Sequence, residues 1–146
     1  MTTTEEVLST PHHPRKKIPI VFMGGQHVGS LGLLTLLALD CEILGIVSYD
    51  PDLTRLAQTF SIPQYASIRA CQDLLDGADL LVSVHGKELV PPDLLQRPTH
   101  GGINVHPCLF AYPGAHPIER WLADGQTRAS VGVHRMTDQV DCGEVL

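Results

Sequence analysis

The stretch Ile18–Tyr49, IPIVFMGGQHVGSLGLLTLLALDCEILGIVSY, decides the fold. It opens on a short apolar run, Ile18 to Met23, which stops at Gly24-Gly25 and suits a buried strand with Pro19 near its start. Residues Val28 to Leu39 are apolar on nearly every face, the pattern of a helix buried on a sheet within a larger body. Glu42 to Tyr49 is again β-branched and apolar, so a second strand follows. Two strands joined through a helix in so short a span imply a parallel pair with a crossover.

The alternation continues downstream. Asp50-Pro51-Asp52 reads as a turn and helix N-cap before a helix over Leu53 to Phe60. A short helix is expected over Ile68 to Leu75 and a buried strand over Asp79 to His85. Pro91-Pro92 can begin a short helix through Leu95, Gly101 to Val105 reads as a strand, and Ala115 to Ala123 as a helix ending at Asp124-Gly125. Ser130 to Met136 closes the series as a strand. The expectation is an α/β fold: an open, mostly parallel, Rossmann-like sheet flanked by helices, over residues 18–146. Residues 1–17 are polar and proline-punctuated, and read as a loose tail and not a signal peptide.

Bulk composition narrows the function classes. A chain of 146 residues with 43% hydrophobic and 18% charged residues suits a single globular domain. A net charge of −6 argues against a large nucleic-acid footprint and favours a small-molecule partner. The longest apolar stretch, Leu31 to Leu39, falls far short of the roughly 20 residues that cross a bilayer. Cys41, Cys71, Cys108 and Cys142 contain no C-x-x-C pair and are expected to be reduced, in a cytoplasm. His100, His106, Cys108, His116 and Cys142 lack zinc-ligand spacing, so no metal site is expected.

Ligands of open α/β sheets collect at the carboxyl ends of the strands, which selects the loops Gly24–Ser30, His85–Glu88 and Asn104–Gly114. If Ile103–Val105 is extended, Asn104 and His106 point the same way, and Pro107 keeps His106 extended. Gly24-Gly25-Gln26-His27-Val28-Gly29 is not G-x-G-x-x-G; it reads equally as an acceptor contact and as plain turn geometry. On spacing alone, a strand-end Asn or His is more often a capping or packing residue than a catalyst.

The run Ile103-Asn104-Val105-His106-Pro107-Cys108-Leu109, then Tyr112-Pro113-Gly114, His134-Arg135-Met136 and Asp141-Cys142-Gly143-Glu144-Val145-Leu146 resembles the signature of the 10-formyltetrahydrofolate-dependent formyltransferases. That family includes methionyl-tRNA, glycinamide ribonucleotide and nucleotide-sugar formyltransferases. The resemblance implies a one-carbon transferase with Asn104, His106 and Asp141 at the catalytic positions. It implies 10-formyltetrahydrofolate as donor, with the folate against Lys87, Glu88, Leu89, Val90, Val140, Cys142 and Gly143. The amine acceptor would meet Gly25, Gln26, His27, Tyr112 and Gly114. The loop after Met23 has neither the Asn-Gly-Ser-Asn run of the glycinamide ribonucleotide enzymes nor the Thr-Pro-Glu-Phe run of many methionyl-tRNA enzymes. A nucleotide-linked amino sugar is therefore the leading acceptor, ahead of methionyl-tRNA and glycinamide ribonucleotide.

The sequence stops just after the Asp-x-Gly loop, where the family's catalytic domain usually continues. The expectation is a domain truncated at its C-terminal end: a fragment, or a short form completed by a partner or as a homodimer. The rival to an active enzyme is a non-catalytic folate-binding or interaction module.

Overall fold

In the computed structural model, which describes residues 16–108 and 111–146, β1 (Pro19–Gly24) lies inside a six-stranded sheet. β2 (Glu42–Ser48) and the short β3 (Gln64–Tyr65) lie to one side of it. β4 (Leu80–Val84), β5 (Gly102–Pro107) and β6 (Val131–Arg135) lie to the other, so the order is β3-β2-β1-β4-β5-β6. Every pairing is parallel except β5 with β6. The mostly parallel open sheet expected from the alternation is the fold of the chain.

The apolar run of β1 is continuous because both its faces are covered. Ile20 and Phe22 join a core with Leu33, Leu53 and Ala57, from α1 (Gln26–Ala38) and α2 (Pro51–Thr59). Val21 and Met23 join the opposite core with Leu75, Leu94 and Leu95, from α3 (Gln72–Leu75) and α4 (Pro92–Leu95). A short 3-10 turn, Arg69–Cys71, precedes α3, and α5 (Pro117–Ala123) buries no residue fully.

Several expectations are corrected. α1 is not buried all round: only Gly29 and Leu33 are buried, while Val28 is 51% and Leu31 63% exposed. It meets the sheet along one stripe, and composition cannot tell which of its apolar faces that will be. The helix expected from Ala115 starts at Pro117, because His116 is left-handed and proline presets the first helical turn. The helix expected over Ile68–Leu75 forms as the 3-10 turn and α3. β3 is too short to leave a periodic signal. Most of the expected tail (1–15), with Leu109 of the signature, lies outside the described residues; Lys17 pairs with Asp40 at 2.8 Å.

Two local features fix the loops that matter. Asp50 is the N-cap of α2, its Oδ1 accepting from the Asp52 and Leu53 amides at 3.0 Å, while its Oδ2 accepts from the Gln26 amide at the start of α1. At the far edge, the Arg135 amide donates to the Glu144 carbonyl at 2.8 Å and the Leu146 amide to the Val133 carbonyl at 2.9 Å. The chain thus folds back along β6 after the loop that carries Asp141. Gly143 lies against that strand so closely that a Cβ would overlap the Arg135 carbonyl oxygen.

Two outcomes follow from these features. The amide bonds, led by that from Leu53, hold the Asp50 carboxyl below its ordinary pKa of 3.8. A depressed pKa gives stability that is complete above the ordinary value and lost as pH falls through the folded one. Asp50→Ala should therefore cost about 1 kcal/mol in urea unfolding at neutral pH, with the gap to wild type narrowing below about pH 4. Gly143→Ala must displace the strand edge, and should cost about 1–3 kcal/mol in the same measurement.

Candidate active site

β5 supplies two polar side chains at its carboxyl end. Ile103 and Val105 pack against the α1–α2 core, so Asn104 and His106, two residues apart, take the other face. Register then decides their neighbours. Asn104 pairs with Ser83 of β4 on one side and with His134 of β6 on the other. The Asn104 amide nitrogen lies 3.3 Å from His134 Nε2.

Asp141 completes the cluster from the loop after β6. Its side chain is 7% exposed, and both oxygens are engaged. Oδ2 accepts the Gly114 amide at 2.7 Å and lies 3.0 Å from His106 Nε2; Oδ1 lies 3.3 Å from His134 Nε2. A buried carboxylate needs such partners, because an unpaired one would cost several kcal/mol.

Hydrogen-bond chemistry fixes where the protons sit. His106 Nε2 also faces the Gly114 carbonyl at 3.2 Å, and a carbonyl can only accept, so Nε2 carries a hydrogen. His106 Nδ1 is buried without a hydrogen-bond partner among the described residues. His134 Nδ1 lies 2.9 Å from the Arg135 carbonyl and so donates to it. A neutral His134 can then accept from the Asn104 amide, and a protonated one donates to Asp141. The second imidazole therefore serves one neighbour at a time through Nε2, the Asn104 amide when neutral and the Asp141 carboxylate when protonated.

Two cavities meet at this cluster. One, of about 270 Å³, runs past Glu88, Val90, Met136 and Val140; the other, of about 530 Å³, past Gln26, His85, His116 and Glu119. Asn104, His106, Gly86, Gly114 and Ala115 line both. Gln26, His85, Cys108, His116 and Asp141, all near these walls, have φ between +54° and +60°. Such conformations cost a non-glycine residue roughly 1 kcal/mol each; Asp40 and Ser61, just after α1 and α2, share the conformation away from the cavities.

The residues expected from sequence divide accordingly. Asn104, His106 and Asp141 come together. Glu88, Leu89 and Val90 line the smaller cavity with Val140, whereas Lys87, Cys142 and Gly143 lie outside its lining. Gln26 lines the larger cavity and Gly114 both, while Gly25 and His27 line neither. Gly25 is held by close packing, since a Cβ there would meet Tyr49 Cβ at 3.3 Å and the His85 carbonyl oxygen at 3.5 Å. Tyr112 turns away: its hydroxyl donates to Asp124 at 2.8 Å and its ring lies under Arg120. His134 was given no role by spacing, yet it is 2% exposed and touches both Asn104 and Asp141. Its signals were its place in the His134-Arg135-Met136 part of the family signature and a polar side chain within an expected strand.

No group of three or more potential metal ligands occurs among the described residues, and no described helix is long and apolar enough to cross a membrane.

Comparison with known proteins bears on this geometry. The chain is 30% identical to the methionyl-tRNA formyltransferase of Listeria monocytogenes serotype 4a, over 87% of its own length and 46% of the relative's. It is 31% identical to that of Syntrophomonas wolfei with the same coverage, so it spans about half the length of the curated relatives it matches. Among solved structures it is similar to the phosphoribosylglycinamide formyltransferase of Streptococcus pneumoniae, with TM-score 0.71, 25% identity, and coverage of 90% of this chain and 79% of that one. It is also similar to a formyltetrahydrofolate deformylase of Burkholderia mallei, with TM-score 0.68, 25% identity, and coverage of 90% and 53%. The family described as formyl transferase matches residues 58–146, more than half of the sequence and all of the Asn104–His106–Asp141 cluster, and the chain belongs to that family.

Proposed function

We propose that this chain carries the reaction centre of a formyltransferase that moves a formyl group from 10-formyltetrahydrofolate to a primary amine, with residues 18–146 as its catalytic unit. The observation that carries this reading is the pair of cavities sharing Asn104 and His106 as a common wall. A group transfer between two molecules needs this plan: each substrate has its own recess, and their reacting atoms meet at one set of side chains.

The smaller cavity takes the pterin end of the donor, against Leu89, Val90 and Val140. The larger takes the acceptor. Attack of the amine on the formyl carbon forms a new carbon–nitrogen bond and makes the carbonyl oxygen an oxyanion. The Asn104 amide and a protonated His106 are the donors for that charge, and donors fixed in advance are the strongest stabilisers of it. The carbon–nitrogen bond to the folate then breaks, and one proton passes from the attacking to the leaving nitrogen. His106 can relay it, and the Asp141 carboxylate supports the imidazolium while it exists. Atoms and charge balance without a covalent enzyme intermediate, so Cys108 and Cys142 have no step to perform.

The relatives move the acceptor away from the nucleotide-linked sugar that the loop after Met23 suggested, because the transferases reported above are named for methionyl-tRNA and phosphoribosylglycinamide. They also remove the weight placed on acidity: the net charge of −6 belongs to a chain about half as long as the relatives named for tRNA. Methionyl-tRNA is the first acceptor to test and glycinamide ribonucleotide the second.

Tetrahydrofolate release from 10-formyltetrahydrofolate should require an acceptor amine. Asn104→Ala should lower kcat by about 10²–10³, and His106→Ala by about 10²–10⁴, with folate binding retained in both. Release without an acceptor would mark hydrolysis instead. Binding without any turnover in the wild type would overturn the enzyme reading in favour of a folate-binding module.

A further inference from the structure

Gly86, Glu88, Leu89 and Val90 form one wall of the smaller cavity, yet among the described residues no backbone-to-backbone hydrogen bond holds 86–90. What fastens it is a side chain. Glu88 is half-buried and reaches sideways out of the loop: its Oε1 accepts the Tyr49 hydroxyl at 3.0 Å and its Oε2 accepts the Ile68 amide at 3.1 Å. Both oxygens are therefore occupied by the protein itself.

We propose that Glu88 is a positioning residue for the donor site: its carboxylate clasps the His85–Val90 loop to Tyr49 and Ile68, and so fixes the cavity wall formed by Leu89 and Val90. This rests on the smaller cavity being the folate site.

The anchors at the far ends of the clasp are rigid. Tyr49 follows β2 directly, its amide donates to the Gly24 carbonyl at 3.1 Å, and its ring packs against the core that contains Met23 and Leu81. Burial, and then the bond to Glu88, push the Tyr49 hydroxyl well above its ordinary pKa of 10, so it remains a donor throughout the physiological range. Ile68 is 2% exposed and opens the segment leading into α3. Between these anchors Leu89 stands 78% exposed at the cavity, next in the chain to the clasp. Val90, at 7% exposure, is fixed by the core instead. Glu88 thus separates a free-standing part of the wall from an embedded one.

The test uses Glu88→Ala, Glu88→Gln and Tyr49→Phe in the full chain, with 5-formyltetrahydrofolate as a non-reacting probe and hydrogen exchange of the Ile68 amide as a direct report on the clasp. Glu88→Ala should speed exchange at Ile68 and weaken probe binding about tenfold, the scale of one hydrogen bond to a charged group, raising KM for the donor with little change in kcat. Tyr49→Phe, which leaves Glu88 in place and deletes one hydroxyl, should weaken binding by about threefold. Glu88→Gln should lie close to wild type, because its amide oxygen still accepts from Ile68 and its amide nitrogen can donate to the Tyr49 oxygen. Faster exchange in Glu88→Ala with unchanged probe binding would overturn the positioning role. A Gln variant as weak as the Ala variant would overturn it too, by showing that the charge acts on the ligand directly. Failure of the wild type to bind the probe would instead sink the donor-site reading on which the proposal stands.

Discussion

The Asp141 carboxylate, enclosed by two imidazoles and one backbone amide, is the interaction around which the functional end of the molecule is organised. A carboxyl side chain at 7% exposure needs polar neighbours for its oxygens, and here each neighbour comes from a different part of the chain. His106 arrives on β5, His134 on β6 and Gly114 on the loop between them. The carboxylate can form this set only if the β5–β6 register is correct and the loop after β6 returns along the strand edge. Gly143 permits that return, because any side chain there would collide with the Arg135 carbonyl.

The parallel part of the sheet provides the rigid floor. β1 and β4, buried on both faces, end together at Gly24 and Val84, and the Gly25 amide bonds the Val84 carbonyl at 3.2 Å. From this crevice the chain diverges to α1 on one side and to the His85–Val90 loop on the other. That is where strand order reverses in an open α/β sheet, and where ligands are received. The same fold therefore supplies one cavity on each side of the β5 polar pair.

Strain and burial are distributed in keeping with this. The cores on the two faces of the sheet are apolar and buried, while five of the seven left-handed non-glycine residues among those described, Gln26, His85, Cys108, His116 and Asp141, lie at the ends of elements around the cavities. The well-packed sheet can hold these costly conformations because its own burial far exceeds them. The Tyr49–Glu88 bond extends the same logic, tying a loop with little backbone support to a strand that has a great deal.

The linear sequence determined the layered α/β fold, because apolar runs broken by glycine, proline and a helix cap act locally and need no distant partner. It also determined that Asn104 and His106 share a face, since strand geometry alternates whatever the neighbours are. What only the tertiary structure decided are the properties that depend on pairing and direction. The antiparallel sense of β6 and the register that sets His134 beside Asn104 arise from strand contacts that no local pattern records. Likewise, Tyr112 bonds Asp124 instead of facing a cavity, the Glu88 carboxylate belongs to Tyr49 and Ile68, and α1 leaves Val28 and Leu31 in solvent. Each of these is a choice among partners brought together from far along the chain, and residue type alone states only that a partner is needed.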